Sequence, residues 1–581
     1  MVHTADGTLI REGGEYFLSP SSAQQRQYEA LRAYLVEGIG RDEAAARFGY
    51  TSATMASLVR DFRAGQVEFF GPRALARRRS PAKERARARI VELRQAGHSA
   101  VEISAALKAE GMALNRTSVA EVLAEEGFER LTTRPFRERV LPRRGELPPA
   151  QRLDFDALPP VCDTDAAGLL LAIPDLVALD LPALVRAAGY VGTRAIPALN
   201  YLLSLLALKL VGMRRVSHVD DLAADPGAAL FAGLSALPKK SALTDYSYRG
   251  AHEQQRRFLA ALDSSMITAG LTTPGEAIFD LDFHAIMHWG ADPALEKNYV
   301  PTRSQRSRSV LTFFAQDSGT HNLVYANADL SKATQNHEVI AFCDHWRQVS
   351  GADPHMLVMD QKVTTQPVLG ELDERGIKFL TLRMRSAALI RQIDELPKDA
   401  WKTITLDRTG PYRRPKVAEQ TSIALSNYPG TVRQLIVTGL GREAPTVIIT
   451  NDRDTPTKKL IERYARRMCI EQRLAEAIRA FHLDALAGAV NLNIDLDVVL
   501  SVLAGALCAA LRKRLPGYAT ATPDTLQRRF IETNGKIIND GDHITIRLNR
   551  RTYSPVLRQS NIPTATAVPW WGNRELHFEY T

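Results

Sequence analysis

Between Ala277 and Leu382 the sequence passes through three strand patterns, a helix, a strand, a second helix and a further strand, and this order restricts the fold more than any other feature. Ala277–Ile286 alternates, and Ser309–Gln316 and Leu323–Ala328 are rich in Val, Phe and Tyr. Helical character spans Asn336–Gln348, Met356–Met359 is a short apolar strand ending on Asp360, and Lys378–Leu382 is the last strand. Successive strands pair antiparallel, whereas strands joined through helices run parallel. The expected fold is therefore α+β, with a mixed sheet covered by helices.

The segments in front of this region are helical. Gln24–Glu37, Asp42–Phe48 and Ser52–Arg63 are short helices, with Gly49-Tyr50 as the turn before the last and Thr51 or Ser52 as its cap. The pattern recurs: Lys83–Ala96 is a helix, Ser99-Ala100-Val101-Glu102 is a capping box and Asn115 caps Arg116–Glu126. Each set is a helix-turn-helix pattern, and Ser52–Arg63 and Arg116–Glu126 are the helices placed to enter a DNA groove, with Ser52, Arg60 and Arg116 among their contacts. Between the sets, Arg73, Arg77, Arg78, Arg79, Lys83, Arg85, Arg87 and Arg89 face one acid, Glu84, so the stretch suits a phosphate backbone or minor groove. A net charge of +9 agrees with a polyanionic partner without identifying it.

The rest of the chain is read as scaffold. Pro135–Pro160 is a proline- and arginine-rich linker, and helices with strong apolar periodicity fill Thr164–Leu271. Strands return over Thr403–Thr450, a long helix spans Thr457–Phe481, another spans Asp497–Arg514, and Lys536–Tyr553 alternates around Asn539-Asp540-Gly541 as a hairpin. The expected division is 20–70 and 80–131 for the helix-turn-helix units, 132–163 for the linker and 164–271 for a helical domain. It continues with 272–400 for the first part of the sheet-and-helix core, 401–452 for a β-rich insertion, 453–515 for the second part of the core and 516–581 for a C-terminal segment.

Composition excludes several classes. Hydrophobic residues at 45% and charged residues at 24% describe a folded, multidomain chain. The cysteines Cys162, Cys343, Cys469 and Cys508 stand far apart without a CxxC pair, which argues against a disulfide framework or zinc ribbon. Met1–Gly14 is polar, and the apolar stretches Ile196–Gly212 and Val498–Leu511 read as buried core helices, so a cytoplasmic, nucleoid-associated protein without membrane contact is expected. The sequence contains no GxxxxGK[ST] loop, which argues against ATP dependence, and no GxSxG elbow.

Carboxylates at the ends of apolar strands are costly unless a cation or hydrogen bonds compensate them. Asp282 in Ile278-Phe279-Asp280-Leu281-Asp282-Phe283-His284 and Asp360 after Met356-Leu357-Val358-Met359 are such carboxylates, and both suggest ligands for Mg²⁺ or Mn²⁺. Strand alternation puts Asp280, Asp282 and His284 on one face and does not choose between the aspartates. Tyr464, Arg467 and Glu471 share a helix face, with Glu462 and Glu476 as rival acids. His284 and His288 lie four apart in strand context, which is not the spacing of a zinc-binding helix face.

The segments Leu281-Asp282-Phe283-His284-Ala285-Ile286, Val358-Met359-Asp360 with Phe379-Leu380-Thr381-Leu382, and Tyr464-x-x-Arg467-x-x-x-Glu471 resemble insertion-sequence DDE transposases with a ribonuclease-H-like core, in the subgroup marked by Tyr, Arg and Glu. The resemblance covers roughly Ala277–Phe481 and ranks Asp282 above Asp280. It implies that Asp282, Asp360 and Glu471 hold the metals and that Tyr464 and Arg467 position terminal phosphates of double-stranded DNA. It also implies a β-rich insertion between the second Asp and the Glu, strand cleavage followed by strand transfer, and a homodimer holding paired ends. One position departs: the subgroup usually has Lys seven residues after the Glu, where this chain has Ile478 beside Arg479. The alternatives are a DNA-binding regulator derived from a transposase and a nuclease or resolvase that does not join strands.

Overall fold

The computed structural model describes residues 2–3, 9–10, 23–67, 69, 81–96, 98–126, 128, 148–214, 216–274, 277–287, 296–300, 305–408, 412–441, 444–483 and 491–580. The chain divides into two compact units, Met1–Arg143 and Arg144–Thr581.

In the first unit, the helices Ala23–Leu35, Arg41–Arg47 and Ser52–Arg63 close around Ala30, Leu31, Ala44, Met55, Leu58 and Val59. Thr51, not Ser52, caps the third helix by accepting from the Thr54 backbone N–H at 3.1 Å. A second bundle, Pro81–Gln95, Ala100–Ala109 and Arg116–Glu125, closes around Ala86, Ile90, Ile103, Leu107, Val119 and Val122. Ser99 and Glu102 form the expected capping box, and Asn115 caps the last helix.

The basic run is less free than its sequence implies. Lys83 pairs with Glu121, Arg87 with Glu84, Glu125 and Glu126 at 3.1, 2.5 and 2.5 Å, and Arg89 with Glu92 and Glu110 at 2.8 and 2.7 Å. Packing of Pro81–Gln95 against Arg116–Glu125 brings Glu121, Glu125 and Glu126 alongside although they are remote in sequence, while Glu84 and Glu92 lie one turn away on the same helix.

The second unit is built on a ten-stranded mixed sheet. In chain order its strands are β1 (Ile278–Met287), β2 (Lys297–Val300), β3 (Gln305–Asp317), β4 (Leu323–Asn327), β5 (Met356–Met359), β6 (Lys378–Leu382), β7 (Trp401–Thr403), β8 (Lys416–Ala424), β9 (Thr431–Thr438) and β10 (Thr446–Thr450). They lie in the order β7-β8-β9-β10-β6-β5-β1-β3, with β2 and β4 both pairing with β3. β1 and β3 are antiparallel, while β5 lies parallel to both β1 and β6. The late strands do not stand apart, because β10 pairs antiparallel with β6 and carries β7–β9 onto the same sheet. Strand β2, with the sequence Lys-Asn-Tyr-Val, is an addition to the expected set.

Phe279 of β1 anchors the helix Glu338–Ser350, with ring centroids 4.6 Å from Trp346 and 5.0 Å from Phe342. The helices Ala198–Leu210, His252–Thr268 and Asn491–Arg514 share one hydrophobic core with the sheet. The span Ile494–Arg514 is long and apolar enough to cross a membrane by composition, yet 83% of its apolar window is buried within the protein, as in a core helix. Residues 148–160, expected in the linker, are fastened to this unit: Leu153 N–H donates to Gly233 C=O at 3.0 Å and Phe155 packs on Trp571. A second mixed sheet joins Val161–Thr164 to the expected hairpin strands Gly535–Asn539 and His543–Leu548, and then to Arg574–Tyr580 and Ala565–Val568.

Candidate functional site

Parallel pairing of β1 with β5 sets Leu281 beside Met359, so the next residues, Asp282 and Asp360, are neighbours at one edge of the sheet. Met356–Met359 is buried throughout and Asp360 is the first residue to emerge from it. Its Oδ1 accepts from the Gln361 N–H at 2.7 Å.

The two aspartates of β1 differ in their partners. Asp280 is 1% exposed, accepts from Arg463 Nη2 at 2.7 Å and from Ser318 Oγ at 3.0 Å, and is thereby occupied by a buried ion pair. Burial raises its pKa and Arg463 offsets part of that shift. Asp282 accepts from the Phe283 N–H at 2.9 Å and lies 3.5 Å from Arg467 Nη1. Burial pushes Asp282 up to about 6; Arg467 opposes that shift, and Glu471 and Asp360 add to it by repulsion. Asp282 thus lies in the field of Asp360 and Glu471 with Arg467 between the charges, whereas Asp280 is paired with Arg463.

The long helix expected over Thr457–Phe481 is broken at Arg467 into Thr457–Arg466 and Met468–Phe481. Arg467 N–H donates to Tyr464 C=O at 3.1 Å and Ile470 N–H to Arg467 C=O at 3.0 Å, a tightened turn of i to i+3 bonds. Such a turn eclipses positions i and i+3, and the Arg467 guanidinium sits 5.8 Å from the centroid of the Tyr464 ring. Arg467 is 7% exposed and donates to Glu471 Oε1 at 3.0 Å, while its Nε and Nη1 have no hydrogen-bond partner among the described residues. Burial pushes the Tyr464 hydroxyl up to about 12.

The rival acids have other work. Glu476 is buried and accepts from Arg473 at 2.6 Å and Gln472 at 3.2 Å, and Glu462 accepts from the Asp407 N–H at 2.7 Å. Ile478 packs on the core and Arg479 is exposed. His284 lies in β1 opposite Thr312, and His288 lies outside the described residues.

The residues expected to face DNA belong to the first unit. Ser52 Oγ donates to Asp42 at 2.5 Å, Arg60 is exposed and pairs with Asp61 at 2.9 Å, and Arg116 is exposed at the start of its helix. Arg77, Arg78 and Arg79 lie outside the described residues. Arg463 and Ser318 escaped sequence reasoning. The four-residue interval from Arg463 to Arg467, which puts both on one helix face, is a signal that finds the first.

Carboxylates are the hard oxygen donors that Mg²⁺ and Mn²⁺ take, and Asp282, Asp360 and Glu471 are the ones this site presents. The site has a cost for the fold. Asp282 keeps its proton to about pH 6 when folded, whereas an unfolded aspartate releases it near 3.9, so stability falls as pH rises through that window and stays lower above it. Asp282→Asn is therefore expected to stabilise the chelator-treated protein at pH 7.5 by about 1–3 kcal/mol, and to change little at pH 4. Thermal unfolding at the two pH values checks this, and a lower Tm for the variant at pH 7.5 would contradict it.

A comparison with protein-family models and with curated proteins finds no match for this chain.

Proposed function

We propose that this chain is a DNA transposase of the insertion-sequence DDE type, with a ribonuclease-H-like core behind two helix-turn-helix units. The observation that carries the reading is the grouping of Asp282, Asp360 and Glu471 around Arg467 while Asp280 is held by Arg463. The sheet supports it: three antiparallel strands, β4-β3-β1, are followed by β5 and β6 in parallel, with the acids on β1, after β5 and on a helix packed against β1.

Divalent cations held by these carboxylates would activate the attacking oxygen and stabilise the leaving one at a DNA phosphodiester. The chain supplies the rest. Asp282 must give up its proton to serve as a ligand, so cation affinity should rise as pH climbs through about 6. Arg467 offers a planar guanidinium fork beside Asp282 and Glu471, the shape that suits a phosphate at the scissile end. Tyr464 holds that guanidinium from one side and presents an aromatic face for a terminal base. In the first unit, Ser52–Arg63 and Arg116–Glu125 are the helices assigned to grooves of double-stranded DNA. Because Lys83, Arg87 and Arg89 hold their own bundle together, Arg77, Arg78 and Arg79 are the basic residues assigned to the backbone between them. A homodimer would hold the paired ends, and no step calls for ATP.

The test is excision in cells of a marker flanked by the DNA segments that border the gene on either side. Wild type is expected to mobilise the marker and Asp360→Ala to lower its movement by about 10³-fold. Equal movement with both proteins would leave the carboxylates without a catalytic role.

A further inference from the structure

On the second sheet, far along the chain from the three carboxylates, another set of ligand-type side chains converges. His543 opens the strand His543–Leu548, and Glu575 and His577 stand two apart on Arg574–Tyr580. The strands are parallel, with His543 beside Glu575 and Thr545 beside His577. Side chains two apart share a face of a strand, as do cross-strand neighbours, so all three project together.

Their atoms meet at one point. Glu575 Oε2 lies 3.1 Å from His577 Nε2 and 3.5 Å from His543 Nε2, and one ligand atom from each residue falls within 4.8 Å of the other two. A tetrahedral zinc ion with bonds of about 2.0–2.1 Å sets its ligand atoms roughly 3.3 Å apart. The two His–Glu edges bracket that value.

The outer neighbours point the same way. Asp540 Oδ1 lies 3.6 Å from His543 Nδ1 and accepts from the His543 backbone N–H at 3.1 Å, which leaves Nε2 facing Glu575. A carboxylate behind the far nitrogen is the usual support of a metal-binding imidazole. The frame is fixed by Glu575 N–H donating to Asp542 C=O at 3.1 Å and by Arg574 Nε donating to Gly541 C=O at 3.1 Å.

We propose that His543, Glu575 and His577 bind Zn²⁺, with Asp540 orienting His543 and the solvent side supplying the fourth ligand. Two imidazoles and one carboxylate favour zinc over Mg²⁺ or Ca²⁺, so Mg²⁺ should not compete for this site. The bound ion ties the hairpin strand to its parallel neighbour. The proposal stands independently of the transposase reading.

Calorimetric titration of untagged full-length chain with zinc chloride at pH 7.5 tests it, using wild type, His543→Ala, His577→Ala, Asp540→Asn and Asp360→Asn. Wild type is expected to bind a zinc at this site with micromolar affinity, undisturbed by millimolar Mg²⁺, and Asp360→Asn to keep that Mg²⁺-resistant zinc whatever it loses at the carboxylates. Loss of either histidine should weaken that site by more than about 100-fold, and Asp540→Asn by about 10-fold. Zinc should also raise the Tm of wild type and of neither histidine variant, which separates metal loss from a folding defect. Equal titrations of wild type and both histidine variants, or loss of the site in Asp360→Asn alone, would overturn the assignment.

Discussion

Replacing Asp360 by asparagine is expected to lower DNA strand cleavage in Mg²⁺ by about 10³-fold or more while leaving affinity for the DNA end within about threefold. The substitution keeps shape and can still accept the Gln361 N–H, so β5 and its turn should persist. Under the proposed function, what disappears is one of the three anionic ligands assigned to the cations. The same proposal rests end binding on phosphate and groove contacts made by other side chains, which the variant keeps. Cleavage of an end-labelled duplex, read beside a mobility-shift titration at fixed salt, checks both halves. Asp282→Asn and Glu471→Gln should behave alike, and full cleavage by any of the three would remove that residue from the proposed site.

Arg463→Ala should be the most damaging change near the site for stability. It strips the counter-ion from Asp280, a carboxylate 1% exposed, and breaking a buried ion pair by removing one partner costs about 3–5 kcal/mol. Protonation of Asp280, whose pKa burial already raises, limits the loss at low pH, so the defect should grow as pH rises. Adding Asp280→Asn removes the stranded charge, and the double variant should regain about 1–3 kcal/mol over Arg463→Ala alone. Urea unfolding at pH 5 and pH 8 measures this, and equal stability of wild type and Arg463→Ala at pH 8 would contradict the pairing. The same pair explains why only one aspartate of β1 is assigned to metal. Asp280 stays bound to Arg463, and Asp282 alone shares the field of Asp360 and Glu471.

Local signals carried much of this architecture. Met356–Met359 was legible to the residue because a strand buried on both faces is a continuous apolar run, and Lys378–Leu382 because Phe379 and Leu380 mark a short strand after a helix. The caps at Ser99 and Asn115 were legible because one side chain satisfies a backbone N–H three residues on. Long-range partners were not. Val161–Thr164 is a strand only through Gly535–Asn539, and Lys-Asn-Tyr-Val at Lys297–Val300 pairs with β3 without any apolar pattern of its own. The break at Arg467 involves neither Gly nor Pro, so nothing local marks it. Alternation left Asp280 and Asp282 equivalent because the difference between them comes from Arg463 on a distant helix. The acids that neutralise Lys83, Arg87 and Arg89 were hidden for the same reason.

The most direct test of the carboxylate site as a phosphodiester-cleaving centre is incubation of purified full-length chain with an end-labelled duplex carrying the terminal repeat, with Mg²⁺ or Mn²⁺ and a target plasmid. The account predicts a nick at the repeat boundary that leaves a 3′-hydroxyl, followed by a labelled product joined to the plasmid, both abolished by a chelator. Binding of the duplex without a nick in either metal would contradict it, and a nick without a joined product would reduce the protein to a nuclease.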